Sequence, residues 1–173
     1  VNTIYMDKNK VTGHNTDILG FENAIKKTKY DVANKEALII GSGGVVSSII
    51  FALEKMKISK ITLMNRTKEK AESLKILFKN LFVVDWGKIP SFDIIINATS
   101  VGLDINDKLD LDLSKSGKDK LFYDVIYNPS ETNFLKTGKN LGNNVENGKM
   151  MFIHQASAAF KLWHGVEPII NEE

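Results

Sequence analysis

Cysteine is absent from the 173 residues, which excludes disulfide scaffolds, thiolate metal sites, iron–sulfur clusters and cysteine nucleophiles. No apolar run approaches the roughly 18–20 residues that span a bilayer, and the N-terminus carries no secretory pattern. An excess of one charge is also lacking: 23 Lys and Arg face 21 Asp and Glu, for a formal net charge of +2. The basic residues are dispersed, which speaks against a surface that coats nucleic acid. Stretches 8–10 and 26–29 read as solvated lysine faces, without the interleaved aromatics that single-strand binding uses. His14, His154 and His164 show no metal-ligand spacing, so no metal is expected. What is present, 43% hydrophobic and 25% charged residues, suits a soluble chain of one domain or one and a fraction, expected in the cytoplasm.

Residues 3–14 read as a hairpin turning at Asp7-Lys8-Asn9. Asn15-Thr16-Asp17 offers N-cap chemistry for a helix running to about Lys29, with Leu19, Ala24 and Ile25 on its apolar stripe. Ala37-Leu38-Ile39-Ile40 is a continuous apolar run, the mark of a strand buried on both faces. Further strands are expected at 60–64, 82–84, 92–97 and 121–125. Helices are expected at 45–56, 67–79, 134–141 and 148–164, while 104–120 is polar and irregular. Strands alternating with helices at this spacing predict a Rossmann-like, doubly wound α/β fold with a parallel sheet and helices on both faces.

Gly41-Ser42-Gly43-Gly44-Val45 follows the first buried strand and opens a helix, as the dinucleotide fingerprint requires. Gly41 permits the tight turn, and Gly43 lets the backbone approach a pyrophosphate at the helix N-terminus. Val46 stands at the third glycine position. The bland alternative is a turn that merely joins strand to helix. The end of the next strand bears on which nucleotide is bound. NAD-binding folds and many adenosylmethionine-dependent methyltransferases place a carboxylate there. This chain has Asn65-Arg66-Thr67, with Lys70 one turn on. A guanidinium pairs with a 2′-phosphate that a carboxylate would repel, so NADP is the expected cofactor.

Gly13-His14-Asn15-Thr16-Asp17, Gly41-Ser42-Gly43-Gly44-Val45, Asn65-Arg66-Thr67 and Asn97-Ala98-Thr99-Ser100-Val101-Gly102 follow one another in the order of the shikimate dehydrogenase family. Tyr123-Asp124-Val125-Ile126-Tyr127 and the closing Gln155 to Gly165 continue the resemblance, which covers essentially the whole chain. It implies an NADP-dependent oxidoreductase that reversibly reduces 3-dehydroshikimate to shikimate on the route to aromatic amino acids. A quinate/shikimate enzyme of broader specificity and a non-catalytic NADP-binding module remain as alternatives.

The resemblance also implies site roles. Asp17 resembles the aspartate of the catalytic pair; read by itself, it would be a helix-start carboxylate held by backbone amides. Asn2, Asp17, Tyr127 and Gln155 resemble the groups that bind the substrate's hydroxyls. Val125 and Gly148 resemble backbone positions beside the nicotinamide. Residues 1–30 are then a remnant of the substrate domain, 31–148 the NADP domain, and 149–173 a helix packing back toward the substrate domain. The family's catalytic lysine and carboxylate-gripping serine motif belong to a region that this sequence, beginning at Val1, does not contain. The chain is therefore expected to be a fragment, weakly active or inactive alone. Ile18, Asn133 and Met150 depart from the family pattern, where Gly, Pro and Gly are usual.

Overall fold

The apolar run at 37–40 lies at the centre of a parallel sheet in a computed structural model that describes residues 1–170. A separate antiparallel hairpin comes first, β1 (Thr3–Asp7) and β2 (Lys10–His14). Lys8 and Asn9 both take positive φ, 44° and 67°, the two-residue turn whose twist suits a hairpin. Helix α1 (Asp17–Thr28) follows, then β3 (Glu36–Ile40), α2 (Val46–Lys55), β4 (Lys60–Met64), α3 (Lys68–Ser73), β5 (Leu81–Val84), β6 (Ile94–Asn97), β7 (Leu121–Asp124), α4 (Asn133–Asn140), β8 (Asn144–Glu146) and α5 (Lys149–His164).

The strand order is β5-β4-β3-β6-β7-β8, all parallel. The chain winds outward from β3 in one direction, then returns to continue from β6 in the other. The crevice between the C-terminal ends of β3 and β6 is the topological switch point, where open α/β sheets bind ligands.

Alternation along β3 divides the core. Ala37 and Ile39 face α1, α2, Ala71 of α3 and Met151 of α5. Leu38 and Ile40 face Phe134 and Leu135 of α4, Phe92 and Leu113. Leu113 belongs to the stretch 104–120, which contains neither helix nor strand yet covers that face. The hairpin is held from the other end of the chain, since Trp163 Nε1 donates to the Ile4 carbonyl at 2.9 Å. Helices α1 and α5 meet at Gly20, where a Cβ would lie 2.8 Å from the Met151 carbonyl oxygen.

The structure departs from the sequence pattern at four places. Leu19 is 43% exposed, and Phe21, which is fully buried, takes its place on the stripe of α1. The helix expected at 67–79 ends at Ser73 and tightens into a 3₁₀ turn at Leu74–Ile76; only Ala71 is buried there, so little packing extends it. Phe82, in the strand expected at 82–84, stands 55% exposed on the edge of the sheet. Strand β8 is an addition: Asn144-Val145-Glu146 has a single apolar residue and shows no strand signal, and backbone pairing with β7 makes the strand.

Candidate functional site

The glycine turn lies over the switch point. Gly41 has φ +108°, and a Cβ there would stand 2.7 Å from the Ala98 carbonyl oxygen at the end of β6. That position needs glycine for both conformation and space. Gly43 and Gly44 are different. A Cβ on Gly43 would meet only the Ala98 oxygen at 3.9 Å, and one on Gly44 would meet nothing within 4 Å. The space above the turn is open. Helix α2 begins there without a side-chain cap and without an acidic residue in its first turn, so its N–H groups and positive dipole end suit an anion. Val46, at the third glycine position, is fully buried against the sheet.

At the end of β4, the Asn65 side chain donates to the Thr67 carbonyl at 2.7 Å and folds the connection back on itself. Arg66, Thr67 and Lys70 are exposed, and neither Arg66 nor Lys70 makes an ion pair among the described residues. Lys68, between them, is engaged with Asp85 at 2.7 Å.

A cleft of about 400 Å³ opens beside the turn, bounded by Asn2, Asp17, Val125, Tyr127, Gly148 and Gln155. It adjoins a second cleft of about 560 Å³ over the ends of β6 and β7, and Val45, Val125 and Tyr127 line both. Residues from both ends of the sequence thus meet around one space. Asn2 Nδ2 donates to Asp17 Oδ1 at 2.8 Å. The backbone N–H of Asp17 bonds Asn15 Oδ1, and Asn15 Nδ2 donates to Ser48 Oγ of α2 at 2.9 Å. The tie from Asn15 leaves the Asp17 carboxylate directed to Asn2 and the cleft. Tyr127 stacks on Phe152 with centroids 4.8 Å apart. Gly148 lies against β7: its N–H donates to the Ile126 carbonyl, and a Cβ would overlap the Val125 carbonyl.

Two features beneath the cleft escaped the sequence reading. One is Thr16, completely buried, with its hydroxyl near Asn2, Thr3 and Gln155. The other is a network joining the ends of β6 and β7. Asp124 accepts from Asn97 Nδ2 at 3.1 Å, the Ile126 N–H at 3.0 Å and the Thr132 hydroxyl at 2.6 Å. Asn97 also accepts from the N–H and hydroxyl of Thr99. Burial pushes the Asp124 carboxyl above its ordinary range, and the three donors oppose that shift. The network fixes the loop 98–102 and Val125, hence the floor of both clefts. Spacing could not reveal it, because the partners come from different strands.

His14, His154 and His164 form no metal-holding group with other ligands among the described residues. His164 lies on Phe160, centroids 4.3 Å apart. No helix among the described residues is long and apolar enough to cross a membrane.

Residues 22–132 match the sequence model of the family described as shikimate / quinate 5-dehydrogenase. The chain belongs to that family. A shikimate dehydrogenase (NADP(+)) of Pelagibacter ubique is 54% identical over the whole chain, which covers 65% of that protein. Shikimate 5-dehydrogenase from Thermus thermophilus, solved with NADP(H) and shikimate, superposes with TM-score 0.85 at 30% identity, over 96% of this chain and 62% of that one. The quinate dehydrogenase of Corynebacterium glutamicum in complex with NAD gives TM-score 0.88 at 29% identity, over 96% and 63%. The chain thus spans just under two thirds of the length of these relatives. Members of the family share this scaffold across different substrates and cofactors, so those must be argued from the site.

Proposed function

We propose that the chain carries the cofactor domain and part of the substrate site of an NADP-dependent shikimate dehydrogenase, which interconverts 3-dehydroshikimate and shikimate in aromatic amino acid biosynthesis. The observation that carries the reading is the shared cleft. Asn2, Asp17, Tyr127 and Gln155 are scattered along the chain, yet they bound one space that touches the glycine turn through Val45.

The residues present fit NADP. The open space over Gly43 and Gly44, next to the uncapped start of α2, accepts a diphosphate. Arg66, Thr67 and Lys70 would hold the 2′-phosphate, and the backbone at Val125 and Gly148 would flank the nicotinamide. When bound, NADP supplies or accepts the hydride. The chain's own groups orient the ring. Asp17, steadied by Asn2, accepts from a substrate hydroxyl, while the Tyr127 hydroxyl and Gln155 amide complete a set of neutral partners. A site built for hydroxyls rejects rings that lack them.

The domain division follows the same reading: residues 1–30 and 149–173 belong to the substrate side and 31–148 to the cofactor side, with 171–173 outside the described residues. The close packing of α1 and α5 at Gly20 and the bond from Trp163 to β1 support grouping the two ends of the chain.

Parallel titrations of the chain with NADP⁺, NAD⁺ and adenosylmethionine test the cofactor. Tight binding of NADP⁺ alone is the expected result, and preference for either of the others removes the assignment. A chimera placing the part of the Pelagibacter relative that this chain does not cover in front of Val1 tests the reaction. Turnover of shikimate in preference to quinate is expected, and the reverse preference would make the enzyme a quinate dehydrogenase.

A further inference from the structure

We propose that Thr16 is a positioning residue whose single hydroxyl sets the orientation of two amides at the cleft, Asn2 and Gln155. The proposal deepens the substrate site described above and rests on it.

A count of donors and acceptors carries the argument. Asn2 Oδ1 accepts from the Thr16 N–H at 2.9 Å and from the Thr3 hydroxyl at 3.1 Å, which uses both lone pairs. Asn2 Nδ2 has two hydrogens; one goes to Asp17 Oδ1 at 2.8 Å and the other to Thr16 Oγ1 at 3.0 Å. Every bond that the Asn2 amide can make is therefore made. In this arrangement Asn2 serves Asp17.

The Thr16 hydroxyl has one hydrogen. Asn2 Oδ1, at 3.2 Å, is already saturated, and of the two acceptors left, Gln155 Oε1 at 3.4 Å is nearer than Thr3 Oγ1 at 3.5 Å and is the one we assign the hydrogen to. Gln155 Nε2 donates one hydrogen to the Phe152 carbonyl at 3.1 Å. With its oxygen turned to Thr16, Gln155 has its remaining N–H for the cleft, and it meets a substrate oxygen as a donor. Thr16 and Thr3 are both buried, so water does not substitute for these partners at low cost. Remove the hydroxyl and the amide of Gln155 loses what distinguishes its two ends, while one N–H of Asn2 loses its acceptor.

Two measurements test this. In the 173-residue chain, the side-chain amide protons of Asn2 and Gln155 are followed by ¹⁵N NMR and hydrogen exchange. Thr16→Val should shift both signals and accelerate their exchange about tenfold, and Thr16→Ser should restore them. Unchanged signals in Thr16→Val overturn the proposal. In the chimera, Thr16→Val should raise KM for shikimate about fivefold to tenfold while kcat and KM for NADP⁺ stay within about twofold. Thr16→Ser should again be close to the unmodified protein. Equal impairment of the two variants, or a parallel loss of NADP⁺ affinity, would show a packing role and overturn the positioning role. An unmodified chimera that does not turn over shikimate overturns the function proposed above, and the amide measurement still decides how Thr16 is bonded.

Discussion

Gly41 and Gly43 share a turn but answer to different demands, and on the proposed reading the open space at Gly43 takes the phosphates. Gly41 is glycine because the fold requires it; Gly43 is glycine in space that the protein leaves open. A similar contrast separates Lys68, held by Asp85, from Arg66 and Lys70. If the unpaired cations hold a 2′-phosphate, Arg66→Ala should weaken NADP⁺ about tenfold to a hundredfold and leave NAD⁺ nearly unchanged. Isothermal titration with both cofactors measures this, and equal losses for the two would remove the assignment. Tyr123 poses a problem of stability. Its side chain is fully buried against Phe21, with its hydroxyl unpartnered among the described residues, and burial pushes that hydroxyl above its ordinary value. Tyr123→Phe removes a polar atom that lost its water on folding, so stability should rise by about 1 kcal/mol. A lower melting temperature would show that the hydroxyl is satisfied after all. Legibility at this scale was uneven. The fingerprint glycines and Arg66 draw their expected roles from their neighbours in sequence. Thr16, Asn97 and Asp124 do not, because their roles come from partners up to 139 residues away.

Helices α1 and α2 are pinned by one carboxylate. Glu22 is 6% exposed and accepts from Lys26 of its own helix and from Lys55 of α2, each at 2.6 Å. The two ammonium groups, which outweigh the cost of burial, hold its carboxyl below the ordinary value of 4.5. A depressed carboxylate contributes stability above its unfolded pKa and loses it as pH falls through the folded value. Glu22→Gln should therefore cost about 1 kcal/mol at pH 7, a modest figure because both lysines are more than half exposed. The difference from the unmodified chain should shrink below about pH 4.5. Urea unfolding of both proteins from pH 7 to pH 3 tests this, and a gap that widens toward acid would contradict it. Elements were legible wherever hydrophobic period and length agreed, as in β3 and α2. They were illegible where tertiary pairing alone makes the structure: β8 exists because β7 offers it a partner, and α3 stops early because little lies beneath its last turn to bury.

At the scale of the whole molecule, the proposed function divides the sheet's ligand-facing end into a cofactor platform and part of a substrate wall. The platform needs only residues within the chain: the turn after β3, the end of β4 and the network joining β6 to β7. The wall has Asp17, Tyr127 and Gln155 on one side of an open cleft, and the hairpin beyond it exposes Ile4, Met6 and Val11. Reducing a ketone by hydride requires the carbonyl carbon held against the donor and a proton delivered to the oxygen. On the proposed reading, the chain supplies the first of these and orients a ring hydroxyl through Asp17. On that reading, the proton and the grip on the substrate carboxylate come from the third of the relatives' length that this chain does not cover. A general acid contributes roughly 10²–10⁴-fold, and misplacement of the substrate costs about a further 10²-fold. The bare chain should therefore bind NADP⁺ with ordinary affinity and oxidise shikimate at least about 10⁴-fold more slowly than the chimera. In the chimera, Asp17→Asn should lower kcat far more than it raises KM for NADP⁺, because the carboxylate touches the ring and not the nucleotide. Following NADPH formation by its near-ultraviolet absorbance decides the matter. Turnover by the bare chain near that of the chimera would mean that the proton is delivered from within these residues, and His14 or Lys10 would be the first to replace.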